Sequence, residues 1–118
     1  MLHLSASCQY YLHAGHTDMR KGFDGLSGLV RSQMSLDALG GAVFIFMNRR
    51  RTHIKLLHWE GDGFSIYYKR LEKGTFELPS AVGAGSPTVV MDARQLQFIL
   101  QGVSLNKISF RPRLKKSA

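Results

Sequence analysis

At 118 residues and 13.2 kDa the chain holds one domain, because two would each be too small to bury a useful core. A hydrophobic content of 44% supports packing and excludes wholesale disorder, and the single cysteine, Cys8, excludes an intramolecular disulfide framework or a Cys-rich zinc site. The net charge of +8 lies entirely beyond residue 40: residues 1–40 balance at zero, 41–79 carry +3 and 80–118 carry +5, an asymmetry that points to a polyanion.

No apolar run approaches the roughly 20 residues that span a bilayer. The start, MLHLSASCQYYLH, lacks a signal peptide's basic opening and long apolar stretch. A cytoplasmic setting with no membrane partner is the expectation. A compact chain of this length should have a radius of gyration of roughly 13–14 Å, so one face covers about a turn of duplex DNA.

The first predicted element is a short strand over residues 8–13, CQYYLH, ended by Ala14 and Gly15. Met19, Phe23, Leu26 and Val30 then recur at i, i+4, i+7 and i+11, the stripe of a helix. Thr17 or Asp18 is the expected N-cap, where an acid suits the helix dipole. Gly22, Gly25 and Gly28 each cost about 1 kcal/mol relative to Ala in a helix interior. The helix should therefore lean on tertiary packing, with its glycines allowing close approach to a sheet. Arg20 and Asp24 stand at i, i+4, the spacing of an ordinary helical ion pair.

A buried strand is predicted over residues 42–48, with Val43, Ile45 and Met47 on one face and Phe44 and Phe46 on the other. RRRT joins it to HIKLLHWE, where Ile54, Leu56 and His58 oppose Lys55, Leu57 and Trp59. Gly61, Asp62 and Gly63 make a tight turn. FSIYYKRL then alternates Phe64, Ile66 and Tyr68 against Ser65, Tyr67 and Lys69. Three strands with such short links predict an antiparallel meander.

Residues 75–88 read as loop, with room for one short edge strand before Pro79. In MDARQLQFILQGV, Asp92 and Gln95 fit a capping box, Leu96, Ile99 and Val103 form a stripe, and Gly102 suits the stop. SLNKISF suggests a last short strand and RPRLKKSA a basic tail. The predicted class is α+β. Residues 1–108 form one domain with a central antiparallel sheet, the meander plus short N- and C-terminal strands, and two helices sharing one face. Residues 109–118 form a flexible basic tail.

The motifs TDMRKGFDGL, the run from VFIF through RRR, HWEGDGF and IYYKRLEKGTF to LP, and the later QLQFILQGV carry a family resemblance. Over residues 8–103 the chain resembles the small TnpB-type accessory protein encoded by the second open reading frame of insertion sequence sixty-six family elements. This is not the large RNA-guided nuclease that shares the name, for which the chain is far too short. The resemblance implies participation in transposition beside a separately encoded transposase. It supplies no catalytic residues.

The residues themselves suggest a phosphate-binding patch. Arg49, Arg50 and Arg51 sit on a hairpin turn, with Lys55 just inside the next strand. Lys69, Arg70 and Lys73 lie at the far end of the third strand, which in a meander returns to that turn. Arg111, Arg113, Lys115 and Lys116 in the tail add reach. Contact with about five phosphates implies a slope of about −4.5 for log affinity against log salt, or roughly 500-fold weaker binding when salt rises fourfold. Arg20 and Lys21 in RKGFDG are candidates for contacting the transposase. Trp59 and Tyr67 are candidates for a protein partner or a homodimer, if an aromatic sheet face is left uncovered.

Enzyme readings are thin. Asp18 and Asp24 have no companion motif, and Glu60 and Asp62 belong to a turn that its glycines explain. The five histidines show no HExxH spacing, and RKGFDG fits no nucleotide-binding loop. No catalytic residue, metal or cofactor is expected. The sequence reading is a non-catalytic accessory factor that binds DNA, at element ends or non-specifically. A pure protein adaptor for the transposase and an RNA-binding or ribonuclease domain are the alternatives.

Overall fold

The computed structural model describes residues 3–105 and 110–114. Its radius of gyration is 14.0 Å and its extents are 40 × 33 × 29 Å. In chain order the elements are β1 (Tyr10–His13), α1 (Phe23–Ser32), β2 (Val43–Met47), β3 (His53–Trp59), β4 (Phe64–Arg70), β5 (Thr88–Met91) and α2 (Ala93–Gln101). The strands form one sheet in the order β4-β3-β2-β1-β5.

The α+β class and the β2–β3–β4 meander match the sequence reading. Val43 faces His58 and Met47 faces Ile54 across one antiparallel ladder; His53 faces Arg70 and Trp59 faces Phe64 across the next. The sheet is nevertheless mixed. β1 lies parallel to β2, with Tyr10 beside Val43 and Leu12 beside Ile45. Residues 14–42 carry α1 between these strands, and such a crossover returns the chain in its original direction.

The fifth strand is not the one expected in residues 104–110. It is β5, which runs antiparallel to β1 with Tyr10 opposite Met91 and His13 opposite Thr88. Four residues after Pro87 are too few for an alternation pattern to register. Residues 106–109 of the expected strand lie outside the described residues, and Phe110 at its end makes an isolated antiparallel bridge with Val103.

The helices occupy opposite faces of the sheet, not the same one. On one face α1 sets Leu26, Val30 and Met34 against Phe44, Phe46 and Leu57. On the other α2 sets Leu96, Ile99 and Leu100 among Tyr10, Leu12, Ile45, Ile54, Leu56 and Met91. This arrangement accounts for strands whose two faces are both apolar. Phe76, from a segment read as loop, is wholly buried in the α2-side core. Its N–H donates to the Arg51 carbonyl at 2.7 Å, which leads the chain past the β2–β3 turn and turns the ring inward.

Three local expectations about α1 fail. It begins at Phe23, with Gly22 at the N-cap and no side-chain cap. Asp18 instead accepts from the Arg20 backbone N–H at 2.9 Å and pairs with the Arg20 guanidinium at 2.6 Å, so the Arg20–Asp24 pair does not form. The helix glycines do not buy close packing either. A Cβ on Gly22 or Gly28 would meet open space, and one on Gly25 only the Lys21 side chain. In α2 the capping box is complete: Asp92 accepts from Gln95 N–H at 2.7 Å, and the Gln95 side chain accepts from Asp92 N–H at 3.0 Å.

Candidate nucleic-acid interface

The β2–β3 turn is built by Asn48. Its Oδ1 accepts from the N–H groups of Thr52 and His53, at 2.9 and 3.0 Å, while its carbonyl accepts from Arg51 N–H at 3.0 Å. These bonds leave Arg49 and Arg50 at the tip, both exposed. Arg51 has a φ of 59°, the left-handed region where side chains other than Gly, Asn or Asp are uncommon. Its guanidinium lies 3.4 Å from the Phe76 carbonyl.

The far end of β4 does return to this turn. Arg70 stands opposite His53, and Leu71 N–H donates to the Thr52 carbonyl at 2.8 Å. The parallel β1–β2 pair adds a second segment to the same end. Thr17 N–H donates to the Met47 carbonyl at 2.8 Å, and Arg49 donates to His16 Nε2 at 3.3 Å. One rim of the sheet therefore carries Arg20, Lys21, Arg49, Arg50, Arg51, Arg70 and Lys73, with Asp18 and Glu72 as the acids bonded within it.

Those two acids are taken locally. Hydrogen bonds from Arg20 hold the Asp18 carboxyl down at about 2, and the Glu72 hydrogen bond raises Arg70 above the usual guanidinium value. Among the described residues these are the two ion pairs, and neither touches Arg49, Arg50, Lys21 or Lys73. The opposite end of the sheet carries Glu60 and Asp62 on the β3–β4 turn. The charge thus separates along the strand direction.

Four of the cations expected to bind phosphate serve the fold. Lys55 is buried. Its Nζ donates to the Met19 and Lys21 carbonyls, at 2.7 and 2.8 Å, and lies 4.6 Å from the Tyr68 ring centre. Its place on the α1 face, directly behind residues 19–21, gives the ammonium backbone carbonyls as its neighbours in place of solvent. Lys69 donates to the Leu100 carbonyl at 3.0 Å, and Arg113 to those of Ile99 and Thr75. Both thus satisfy the end of α2, where cations complement the dipole. Burial lowers the Lys69 pKa, with Arg113 adding to the shift; burial also lowers that of Arg113, with Arg111 adding to it.

Arg111 donates to Thr75 through both Nε and Nη2, and its N–H to the Gly102 carbonyl. Residues 110–114 are thus laid against the body at Gly74 and Thr75, where a free tail was expected. Lys115 and Lys116 lie outside the described residues.

The partner candidates do not form one surface. Trp59 lies on the α1 face, edge-on to Phe64 with ring centres 5.0 Å apart. Tyr67 lies on the α2 face, packed against the core there. Arg20 and Lys21 belong to the basic rim. Sequence reasoning missed His16 as a neighbour of Arg49, because only the parallel pairing of β1 with β2 brings residues 14–22 to that end. Among the described residues no group of three His, Cys, Asp or Glu side chains could hold a metal ion, and no helix is long and apolar enough to cross a membrane.

Comparison with known proteins follows the same lines. The family model for IS66 Orf2 like protein matches residues 8–110. The uncharacterized protein y4hO of Sinorhizobium fredii is 33% identical over 103 residues, covering 87% of either chain. A second protein of that organism, y4jC, is 26% identical over 95 residues, covering 80% of this chain and 79% of its own. No solved structure matches. The chain belongs to the IS66 Orf2-like family, whose role in insertion-sequence transposition is that of an accessory protein.

Proposed function

We propose that the protein binds DNA phosphates through the rim formed by Lys21, Arg49, Arg50 and Lys73, and in doing so assists the transposase of its own element. The observation that carries this reading is the state of Arg49 and Arg50. Both are exposed at the tip of a turn built by other side chains, and neither is paired with a carboxylate. Arg70 and Arg51 stand beside them and add charge, though each already has an internal partner. A left-handed arginine at position 51, where glycine relieves the strain, supports a use for charge at this turn.

Such a rim orients the protein on the backbone without reading bases, because phosphate contacts fix register and carry no sequence information directly. The 40 Å long axis spans about one helical turn of duplex. The reaction chemistry of transposition falls to the transposase in this reading, and the protein needs neither metal nor cofactor.

The test is gel-shift binding to element-end DNA, random DNA and RNA, with Arg49, Arg50 and Arg51 all replaced by Gln in the variant. The wild type should retain both DNAs and the variant neither, with unchanged folding by circular dichroism. Equal retention by the variant would take DNA binding away from this rim, and no retention by the wild type would overturn the reading in favour of an adaptor that meets an acidic protein surface. Retention of RNA alone would overturn it in favour of an RNA-binding domain.

A further inference from the structure

The sheet has two edges. β5 closes one with four residues, whereas β4 leaves the other open along seven. Backbone bonding along β4 alternates. Leu71 N–H donates to Thr52 and Glu60 N–H to Gly63, so Ser65, Tyr67 and Lys69, in phase with them, spend their backbone groups on β3. The N–H and C=O groups of Phe64, Ile66, Tyr68 and Arg70 therefore point away from the sheet. Among the described residues they have no partner.

An unpaired strand edge is a template for another strand, and proteins usually blunt it with a proline, a bulge or charge. β4 has no proline and its register with β3 is unbroken from Phe64 to Arg70. Its Lys69 ammonium is turned inward onto α2, which leaves Arg70, at the very end, as the strand's exposed charge.

We propose that two copies of this chain associate by antiparallel pairing of β4 with β4, Ile66 opposite Ile66, joining their sheets into one. The charges select both occupant and register. β4 is preceded by Glu60 and Asp62, ends in Arg70 and is followed by Glu72 and Lys73, so its two ends differ in net charge sign. Antiparallel pairing sets the acidic end of one copy beside the basic end of the other. It also carries the two basic rims to opposite ends of the pair, so that chains of net charge +8 meet without opposing them.

In the Ile66-centred register Phe64 faces Tyr68, and the approach of Asp62 to Arg70 offsets that of Glu60 to Glu72, an offset the other register lacks. The neighbouring register, centred on Tyr67, would set Asp62 against Glu72, and directly opposed like charges are destabilising. Both registers pair the outward groups of Phe64, Ile66 and Tyr68 with outward groups of the other copy; charge separates them. The interface takes Arg70 from the edge of the rim and uses neither Arg49 nor Arg50, so it forms without DNA.

The experiment is size-exclusion chromatography with light scattering, without nucleic acid, over protein concentrations up to about 100 μM, a range in which standard non-obligate pairs associate. The wild type should rise with concentration to twice the 13.2 kDa chain mass. Ile66→Pro removes a donor that faces outward, so the folded chain should persist by circular dichroism while dimer dissociation rises roughly 100-fold or more. Asp62→Arg and Arg70→Asp should each weaken the dimer about tenfold, and the double variant should restore it. A wild type of single-chain mass throughout, or a dimer that survives Ile66→Pro, overturns the proposal. A double variant no better than its parents overturns the register.

Discussion

Replacing Lys55 with methionine separates a lysine that holds the fold from one that awaits a ligand. The ammonium donates to two backbone carbonyls, at 2.7 and 2.8 Å. Charge-assisted bonds of this kind contribute about 1.5–3 kcal/mol each. The Tyr68 ring, 4.6 Å away, adds about 1 kcal/mol. Against this stands the cost of burying an ammonium, several kcal/mol. Methionine keeps the unbranched stem, so little packing is lost. The Met19 and Lys21 carbonyls lie near the surface, where water can replace the ammonium in part. The balance is a destabilisation of about 2 kcal/mol. Urea unfolding followed by Trp59 fluorescence should show that loss as a lower midpoint at unchanged slope. Arg49→Gln in the same assay should stay within about 0.5 kcal/mol. A Lys55→Met variant as stable as the wild type, or more so, would refute the structural role of Lys55 and return it to the binding surface.

Other substitutions probe the remaining contacts. Gly28→Ala should raise stability by about 1 kcal/mol in thermal or urea unfolding, because its Cβ meets open space on a helix whose propensity is poor. Gly74→Ala should cost about 2 kcal/mol or more: its φ is 84°, and the new methyl would collide with the Pro112 carbonyl, loosening residues 110–114. Hydrogen exchange at Arg111 should report that loosening. The Asp18 carboxyl should titrate at about 2 by NMR, below the ordinary carboxylate value of 3.8. Its depressed folded pKa means that its stabilising contribution is present above 3.8 and is lost as pH falls through about 2. Arg20→Gln should return the titration midpoint toward 3.8 and remove that acid-side dependence.

What the sequence revealed, and what it hid, follows from the range of each interaction. The meander was legible because Val43–Met47, His53–Trp59 and Phe64–Arg70 alternate cleanly and are joined by turns whose residue types are specific. The α2 cap was legible because Asp92 and Gln95 form a local motif. The direction of β1 was not, since nothing in CQYYLH says whether its neighbour runs alongside or against it. That one ambiguity hid the union of residues 14–22 with the arginine turn. It also hid the division of the helices between two faces, although apolar residues on both sides of β2 were the available clue. The return of β4 to the turn was predictable from strand lengths alone. The capture of Lys55, Lys69, Arg111 and Arg113 by backbone carbonyls was not, because a cation's partner depends on which distant main chain passes over it.

The rim's claim on a polyanion is tested most directly by fluorescence anisotropy of a labelled duplex as salt is raised. Four phosphate contacts, one each for Lys21, Arg49, Arg50 and Lys73, predict a slope of about −3.6 in log affinity against log salt, a loss of roughly 150-fold for a fourfold rise. Replacing Arg49 and Arg50 with Gln should halve that slope. A slope near zero, or one that the double replacement leaves unchanged, would contradict the assignment of this rim to DNA.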